Sequence, residues 1–130
     1  MAPDKGGFSV IEDFVPAEIK PQIALADVEK LDIRVGTIDA VEDVPESKKL
    51  ICLTVDFGDK KRTILVGMKK ERNNPAEIVG IQSLFIVNLE PRIMFGRTSE
   101  GMLFDIGYQD GLIPVMAVPE SAVPNGARAG

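Results

Sequence analysis

Residues 50–66, LICLTVDFGDKKRTILV, predict a β-hairpin that decides the fold class. Every second residue from Ile51 to Phe57 is apolar, which is typical of a strand with one buried face. Gly58-Asp59 predicts a tight turn, and residues 62–66 predict the returning strand. The hairpin therefore indicates an antiparallel sheet in this part of the chain.

Further short strands are predicted on both sides of this hairpin. Before it, a short helix at 24–30 leads to Ile33 and Val35. The apolar phase then slips at Gly36, which indicates a β-bulge or a sharp coil of a barrel strand. After it, Asn74-Pro75 predicts the start of a short helix. Strands follow at 84–87, 102–104 and 112–118. This order predicts an all-β protein, a five-stranded Greek-key OB-fold barrel with short helices. We expect its core to contain Ile33, Val35, Leu53, Val55, Leu65, Ile86 and Phe104.

The length of 130 residues fits one domain with its own core. We divide the chain into an N-terminal extension, 1–22, and an OB-fold domain, 23–130, whose C-terminal part also extends beyond the barrel. Phe8, Val10, Ile11 and Phe14 make the extension too apolar for a free tail. We expect the extension to pack on the domain or, together with the apolar tail 112–123, on a second subunit.

Histidine is absent, which excludes Ser-His-Asp and Cys-His catalysis within the chain and argues against a zinc site. This absence narrows the enzyme options, and an enzyme ranks third among the hypotheses; we expect no catalytic residue, no metal and no cofactor. The single cysteine, Cys52, cannot form an internal disulfide and is interpreted as a small buried side chain. Without a secretory h-region or an apolar stretch near the ~20 residues of a membrane span, a cytoplasmic location without membrane association is expected.

Charge is unevenly distributed along the chain, whose net charge is −5. From Lys48 to Arg97 there are ten basic and five acidic residues, a net charge of +5, whereas the remainder has five basic and fifteen acidic residues. Such a basic middle can present a phosphate-binding face if its side chains converge. Alternatively, runs such as Lys60-Lys61-Arg62 are solvated turns.

Four segments together resemble the tRNA-binding domain family: Leu31–Ile38, Val44–Leu50 leading into Val55–Asp59, Asn88–Met102 and Val123–Gly126. This family includes free-standing dimeric tRNA-binding proteins, the chaperone CsaA, and domains appended to methionyl-tRNA and phenylalanyl-tRNA synthetases. The resemblance covers residues 23–130. It implies a non-catalytic OB-fold homodimer that recognises tRNA, or a similarly structured RNA, largely by shape.

The resemblance and the residue types needed for RNA contact predict a binding site. Its members are Lys48, Lys49, Arg62, Asn88, Arg92, Met94, Arg97, Ser99, Glu100 and Met102. In the alternative interpretation, Pro91 and Gly96 only shape a loop, both methionines fill the core, and Glu100 pairs with a nearby arginine.

The sequence departs from the family pattern at two positions where lysines are usual, Glu90 and Ile93. Residues 44–47, Val-Pro-Glu-Ser, also replace the usual His-Pro-Asp/Asn-Ala turn. The lost positive charges favour the CsaA-like branch. The alternative function is therefore that of a molecular chaperone, or a protein-interaction module, that binds unfolded or exported polypeptides.

Overall fold

A computed structural model describes residues 13–130. We expected the N-terminal extension to pack on the domain or on a second subunit; three of its apolar residues, Phe8, Val10 and Ile11, lie outside the described residues. The described chain is mostly β-structure with few helical turns. Its strands are β1 Ile33–Asp43, β2 Ile51–Asp56, β3 Lys61–Val66, β4 Gln82–Ile86, β5 Arg92–Met94, β6 Arg97–Ser99, β7 Met102–Leu103, β8 Asp105–Ile106, β9 Val115–Met116 and β10 Arg128–Ala129. Its helical elements are α1 Leu25–Val28 and two 3-10 turns, η1 Pro75–Ile78 and η2 Tyr108–Asp110. Between residues 13 and 130, no helix has the length and apolar character required to cross a membrane.

The main sheet is antiparallel and curled, with the strand order β3-β2-β1-β4-β7. The long strand β1 pairs with β4 through its first half and with β2 through its second half, and β10 pairs with its start. The register of β1 against β2 shifts between Ile38 and Ala40, close to the predicted phase slip. Such a bulge bends a strand, so that β1 can pair with β4 before the bend and with β2 after it.

Residues 99 and 100 join β3 to the far end of the sheet. The backbone N–H of Glu100 donates to the carbonyl oxygen of Thr63 at 2.8 Å, and a carboxylate oxygen of Glu100 accepts from the N–H of Thr63 at 3.1 Å. The hydroxyl of Ser99 accepts from the N–H of Leu65 at 3.0 Å. Since β7 follows directly and pairs with β4, these bonds bring the two edges of the sheet together.

The core lies inside the curled sheet. Ile38, Leu53, Val55, Ile64, Ile78 and Phe85 are fully buried there, and the rings of Phe57 and Phe85 meet edge to face at 5.4 Å. Alternation along β2 and β3 turns Cys52 and Leu65 to the opposite face. On that face they form a small outer cluster with Val44, against which Leu50 and Met94 pack.

The all-β, OB-type fold prediction is confirmed, although the main sheet has six strands when β10 is included. Val35, Leu53, Val55 and Ile86 are buried as expected. Leu65 is buried in the outer cluster, and Ile33 is only half-buried. The placement of Phe104 in the core was wrong: this residue is 38% exposed, because Leu103 is the buried residue of this segment and alternation turns Phe104 to the other face.

Candidate functional site

The segment from Asn88 to Met102 folds as an additional hairpin, β5–β6, on the outer face of the sheet. In the hairpin register, Arg92 opposes Ser99 and Met94 opposes Arg97. Met94 packs on the outer cluster, which includes Val44 from the turn after β1. The β5–β6 hairpin therefore extends from the edge of β3 towards the turn at 44–49.

Arg62 holds the two ends of this segment. Its Nη1 donates to the carbonyl oxygens of Val87 and Glu100, at 2.7 and 3.0 Å, and its guanidinium carbon lies 5.9 Å from the centre of the Phe57 ring. Hydrogen bonds from a charged group are stronger than neutral ones. Arg62 therefore fixes the base of the hairpin, and its half-buried charge is directed towards protein carbonyls.

Asn88 fixes the entry to the same segment. Its side-chain oxygen accepts from the N–H of Asp32 at 2.9 Å, and its amide nitrogen donates to the carbonyl oxygen of Lys30 at 2.7 Å. The oxygen and the nitrogen of the Asn88 side-chain amide are thus both hydrogen-bonded within the fold. Ser99 and Glu100 are similarly used at the exit, since both bond to the backbone of β3.

The turn at 44–49, here named the basic turn, is ordered by Lys69. The ammonium group of Lys69 donates to the carbonyl oxygens of Val44 and Ser47, at 2.8 and 2.6 Å, and forms an ion pair with Asp43 at 2.7 Å. The hydrogen bond from Lys69 holds the pKa of the Asp43 carboxyl below its usual range. The hydroxyl of Ser47 accepts from the N–H groups of Lys49 and Leu50, which completes the turn. The exposed side chains of Lys48 and Lys49 are therefore presented by an ordered backbone.

Half of the basic residues between 48 and 97 form ion pairs or hydrogen bonds with other groups of the protein. Lys61, Lys69, Arg72 and Arg97 form ion pairs with Asp39, Asp43, Glu77 and Glu42, and Arg62 binds carbonyl oxygens. Three of these acids lie on β1, outside the basic stretch of sequence. The other five bases of this stretch are exposed and, among the contacts of residues 13–130, have neither an ion pair nor a side-chain hydrogen bond: Lys48, Lys49, Lys60, Lys70 and Arg92.

The structure brings most of the predicted site residues to one face. Arg92, Met94, Arg97, Ser99 and the basic turn gather around the β5–β6 hairpin. Their environments differ: Met94 and Ser99 are largely enclosed, whereas Met102 on β7 is exposed. Arg34 forms an ion pair with Asp32 at 3.0 Å, and Cys52 is buried as expected.

Two exposed apolar residues of the β5–β6 hairpin were not among the predicted ones. Ile93 is 76% exposed and Phe95, at the tip of the hairpin, is 52% exposed. The Phe95-Gly96 pair between two short β-segments was a usable signal, because glycine at the second turn position is typical of two-residue hairpins.

Comparison with known proteins agrees with this architecture. The family model described as "Putative tRNA binding domain" matches residues 33–128, which include every predicted site residue. The chain belongs to the tRNA-binding domain family. The match begins ten residues later than the resemblance described above, and it ends within β10.

Curated relatives of this tRNA-binding domain include much longer enzymes. The methionine–tRNA ligase of Phocaeicola vulgatus is 43% identical over 107 residues, and that of Methanocaldococcus jannaschii is 38% identical over 107 residues. Each alignment covers 82% of this chain but only 16% of the enzyme. The chain therefore spans about a sixth of the length of these relatives.

Solved structures with the same fold cover most of the chain. The MetRS-related protein from Pyrococcus horikoshii has a TM-score of 0.78 at 33% identity, over 85% of this chain and 100% of that one. The chaperone CsaA from Bacillus anthracis has a TM-score of 0.73 at 27% identity, over 85% and 100%. The fold of this chain is thus similar both to that of a MetRS-related protein and to that of a CsaA chaperone.

Proposed function

We propose that this chain binds tRNA, or a similarly structured RNA, without catalysing a reaction, on the face formed by the β5–β6 hairpin and the basic turn. The observation that carries the proposal is the packing of Met94 on the cluster that contains Val44 and Leu50. This packing brings the strand of Arg92 beside the turn of Lys48 and Lys49. The single buried cysteine agrees with action in the reducing cytoplasm.

Three exposed cations on one ordered face are suited to phosphate contact. Lys48, Lys49 and Arg92 form no ion pair within the described residues, so their charge is available to a ligand. Exposed lysine and arginine contribute to RNA affinity mainly by releasing counterions from phosphates. The short hairpin and the turn provide shape, which is the main basis of recognition for folded RNA.

The internal ion pairs limit the affinity for RNA that we expect. Because Lys61, Lys69 and Arg97 are partly neutralised by acids on β1, they add little to phosphate attraction. Three available contacts predict that the logarithm of affinity falls with the logarithm of salt concentration with a slope of about −2 to −3. This slope is shallow compared with proteins that make six to ten phosphate contacts.

Electrophoretic mobility of labelled tRNA, measured between 50 and 200 mM salt (roughly the range in which phosphate contacts are lost), tests this function. The parent protein should retard tRNA with the slope given above, and the double variant Lys48→Ala/Lys49→Ala should make the slope shallower by about two units. Lys60→Ala is the matched control, because Lys60 is an equally exposed lysine at the opposite end of the β2–β3 hairpin. Absence of retardation by the folded parent protein at 50 mM salt would refute the proposal.

The proposal includes a two-fold homodimer. The β8–β9 hairpin and its η2 turn expose Ile106, Tyr108, Ile113 and Val115, each by at least half of its surface. Apolar surface of this kind on a small domain commonly forms a subunit interface. The segment from Asp13 to Ala17 borders a shallow pocket together with residues 110–112, which places part of the N-terminal extension beside the same surface.

A second candidate function is the binding of unfolded or exported polypeptides. It is favoured by the exposed apolar pair Ile93 and Phe95 on the β5–β6 hairpin, and by structural similarity to the chaperone CsaA. Suppression of the aggregation of a heat-denatured enzyme, by a parent protein that fails to retard tRNA, would favour this candidate over RNA binding.

A further inference from the structure

The turn of the β5–β6 hairpin has an unusual residue at its first position. The two strands are joined by Phe95 and Gly96, with φ values of 52° and 74°. Positive φ at both positions defines a two-residue hairpin turn that asparagine, aspartate and glycine adopt readily. A bulky side chain is strained in this left-handed region. Among the described residues, Phe95 is the one non-glycine residue with positive φ.

Packing does not account for a phenylalanine at this position. About half of the surface of Phe95 is exposed, and the residue belongs to neither of the two buried clusters in the described chain. Met94 and Ser99 already anchor the hairpin to the sheet. Asparagine would form the same turn with less strain, so the aromatic ring is not explained by folding. Strain that folding does not require is concentrated at binding sites.

The surroundings of Phe95 indicate the class of ligand. The strand that leads to it carries the exposed Arg92, and Met94 connects it with the basic turn that presents Lys48 and Lys49. An exposed aromatic ring among cations that contact phosphate is the arrangement by which proteins hold single-stranded bases, at about 1–3 kcal/mol for each stacked base. We propose that Phe95 is a stacking platform for an unpaired base of the RNA. The inference rests on the proposed RNA-binding function.

Phe95→Asn separates this role from a role in folding. Since asparagine tolerates the left-handed conformation, the variant should unfold at a temperature higher than the parent by about 3 °C. Its affinity for tRNA should nevertheless fall by about fivefold to a hundredfold, the loss that corresponds to one stacked base. The slope of affinity against salt should not change, because stacking releases no counterions. Phe95→Trp, which restores an aromatic face, should bind as tightly as the parent.

A blunt RNA duplex of the same length as the tRNA provides a second comparison. Because it offers no unpaired base, parent and Phe95→Asn should bind it equally, and both more weakly than the parent binds tRNA. If Phe95→Asn retains the tRNA affinity of the parent, the stacking role is wrong while RNA binding itself stands. If Phe95→Asn loses affinity for the duplex and for tRNA equally, or changes the oligomeric state, the stacking role is also wrong. Loss of aggregation suppression with unchanged tRNA affinity would assign Phe95 to polypeptide binding instead.

Discussion

The guanidinium of Arg62 donates to the carbonyl oxygen of Val87 at 2.7 Å, although the two residues are 25 positions apart. The same nitrogen also reaches the carbonyl oxygen of Glu100 at 3.0 Å. Val87 is the last residue before the Asn88–Met102 segment and Glu100 lies near its end, so one side chain closes the base of the whole loop. A residue that sequence analysis placed in contact with RNA thus has contacts that suit it to positioning the hairpin that carries Arg92.

Removal of Arg62 is expected to reduce stability more than removal of its neighbour Lys61. Arg62→Ala loses hydrogen bonds to two carbonyl oxygens and should lower the free energy of unfolding by about 1–3 kcal/mol. Lys61→Ala loses one exposed ion pair with Asp39, which contributes about 0–1 kcal/mol. Urea denaturation of both variants measures the difference.

RNA binding distinguishes this positioning role of Arg62 from direct phosphate contact. Under conditions where both proteins are folded, Arg62→Ala should bind tRNA more weakly than the parent with an unchanged salt slope, because no phosphate contact is lost. A slope shallower by about one unit would instead place the guanidinium on a phosphate.

Gly36 is expected to tolerate no side chain. A Cβ atom at this position would lie 2.5 Å from Cγ1 of Val55 and 2.8 Å from the ring of Phe57, which are both buried. Overpacking of this kind should destabilise Gly36→Ala by about 1–3 kcal/mol in chemical denaturation. Gly67→Ala is the matched control, since a Cβ atom there meets nothing within 4 Å and should change stability by less than about 0.5 kcal/mol. Equal stability of the two variants would contradict the packing described around Phe57.

The sequence predicted the β2–β3 hairpin well because its pattern is local. Alternation in β2 and the turn at Gly58-Asp59 depend on neighbouring residues, and the observed strands end within one residue of the predicted ones. Phe104 and Ile33 differ because burial depends on which residues of a strand face inwards and on which segments cover them. Neither property is contained in an alternating pattern.

The candidate site was only partly predictable for a similar reason. The residue types of the Asn88–Met102 segment could be recognised, but the partner of each polar side chain is distant in sequence. Arg97 meets Glu42 across 55 positions, and Asn88 meets Lys30 across 58. Such pairings depend on the curl of the sheet. The number of bases in the stretch 48–97 is consequently larger than the number of cations that are free to contact phosphate.

The Asp32–Arg34 ion pair predicts a loss of stability in acid. Hydrogen bonds from Arg34 lower the pKa of Asp32 below its ordinary value, although burial acts in the opposite direction. A carboxyl with a lowered pKa in the folded state stabilises the protein above its unfolded-state pKa of about 4. This stability is lost as the pH falls from there through the folded-state value.

Asp32→Asn should therefore be less stable than the parent at pH 7, and its urea midpoint should depend less steeply on pH below about 4. Arg34→Gln removes the partner and should flatten the profile in the same way. Midpoints that fall equally steeply in parent and variants would show that the acid sensitivity arises elsewhere in the protein.

The exposed apolar residues of the β8–β9 hairpin predict dimerisation. Sedimentation at micromolar concentration should give a particle of about 28 kDa, twice the chain mass of 14.1 kDa. Ile113→Glu places a charge on the most exposed large apolar residue of this hairpin, 76% exposed, and should yield the monomer. Val79→Glu, at an exposed apolar residue beside η1, should leave the dimer intact. A parent protein that sediments at 14 kDa would remove the dimer from the proposed function.

Arg92 is the residue for which we predict the clearest effect on RNA binding. It is exposed on β5 opposite Ser99, and within residues 13–130 no acid pairs with it. Glu90 and Glu100, its nearest acidic neighbours in sequence, form no ion pair with it, and Glu100 is bonded to Thr63. Its guanidinium is therefore available to bridge phosphate oxygens or to stack on a base.

Arg92→Ala should weaken tRNA binding by about 1–3 kcal/mol, and the salt slope should become shallower by about one unit if the contact is to phosphate. Arg128→Ala serves as the control, because Arg128 is an exposed arginine on β10 whose one ion pair, with Asp32 at 3.7 Å, is weak. Unlike Arg62, Arg92 makes no hydrogen bond that folding would lose, so both variants should unfold at the temperature of the parent. Unchanged tRNA affinity in folded Arg92→Ala would remove this residue from the interface and leave the basic turn to account for the affinity.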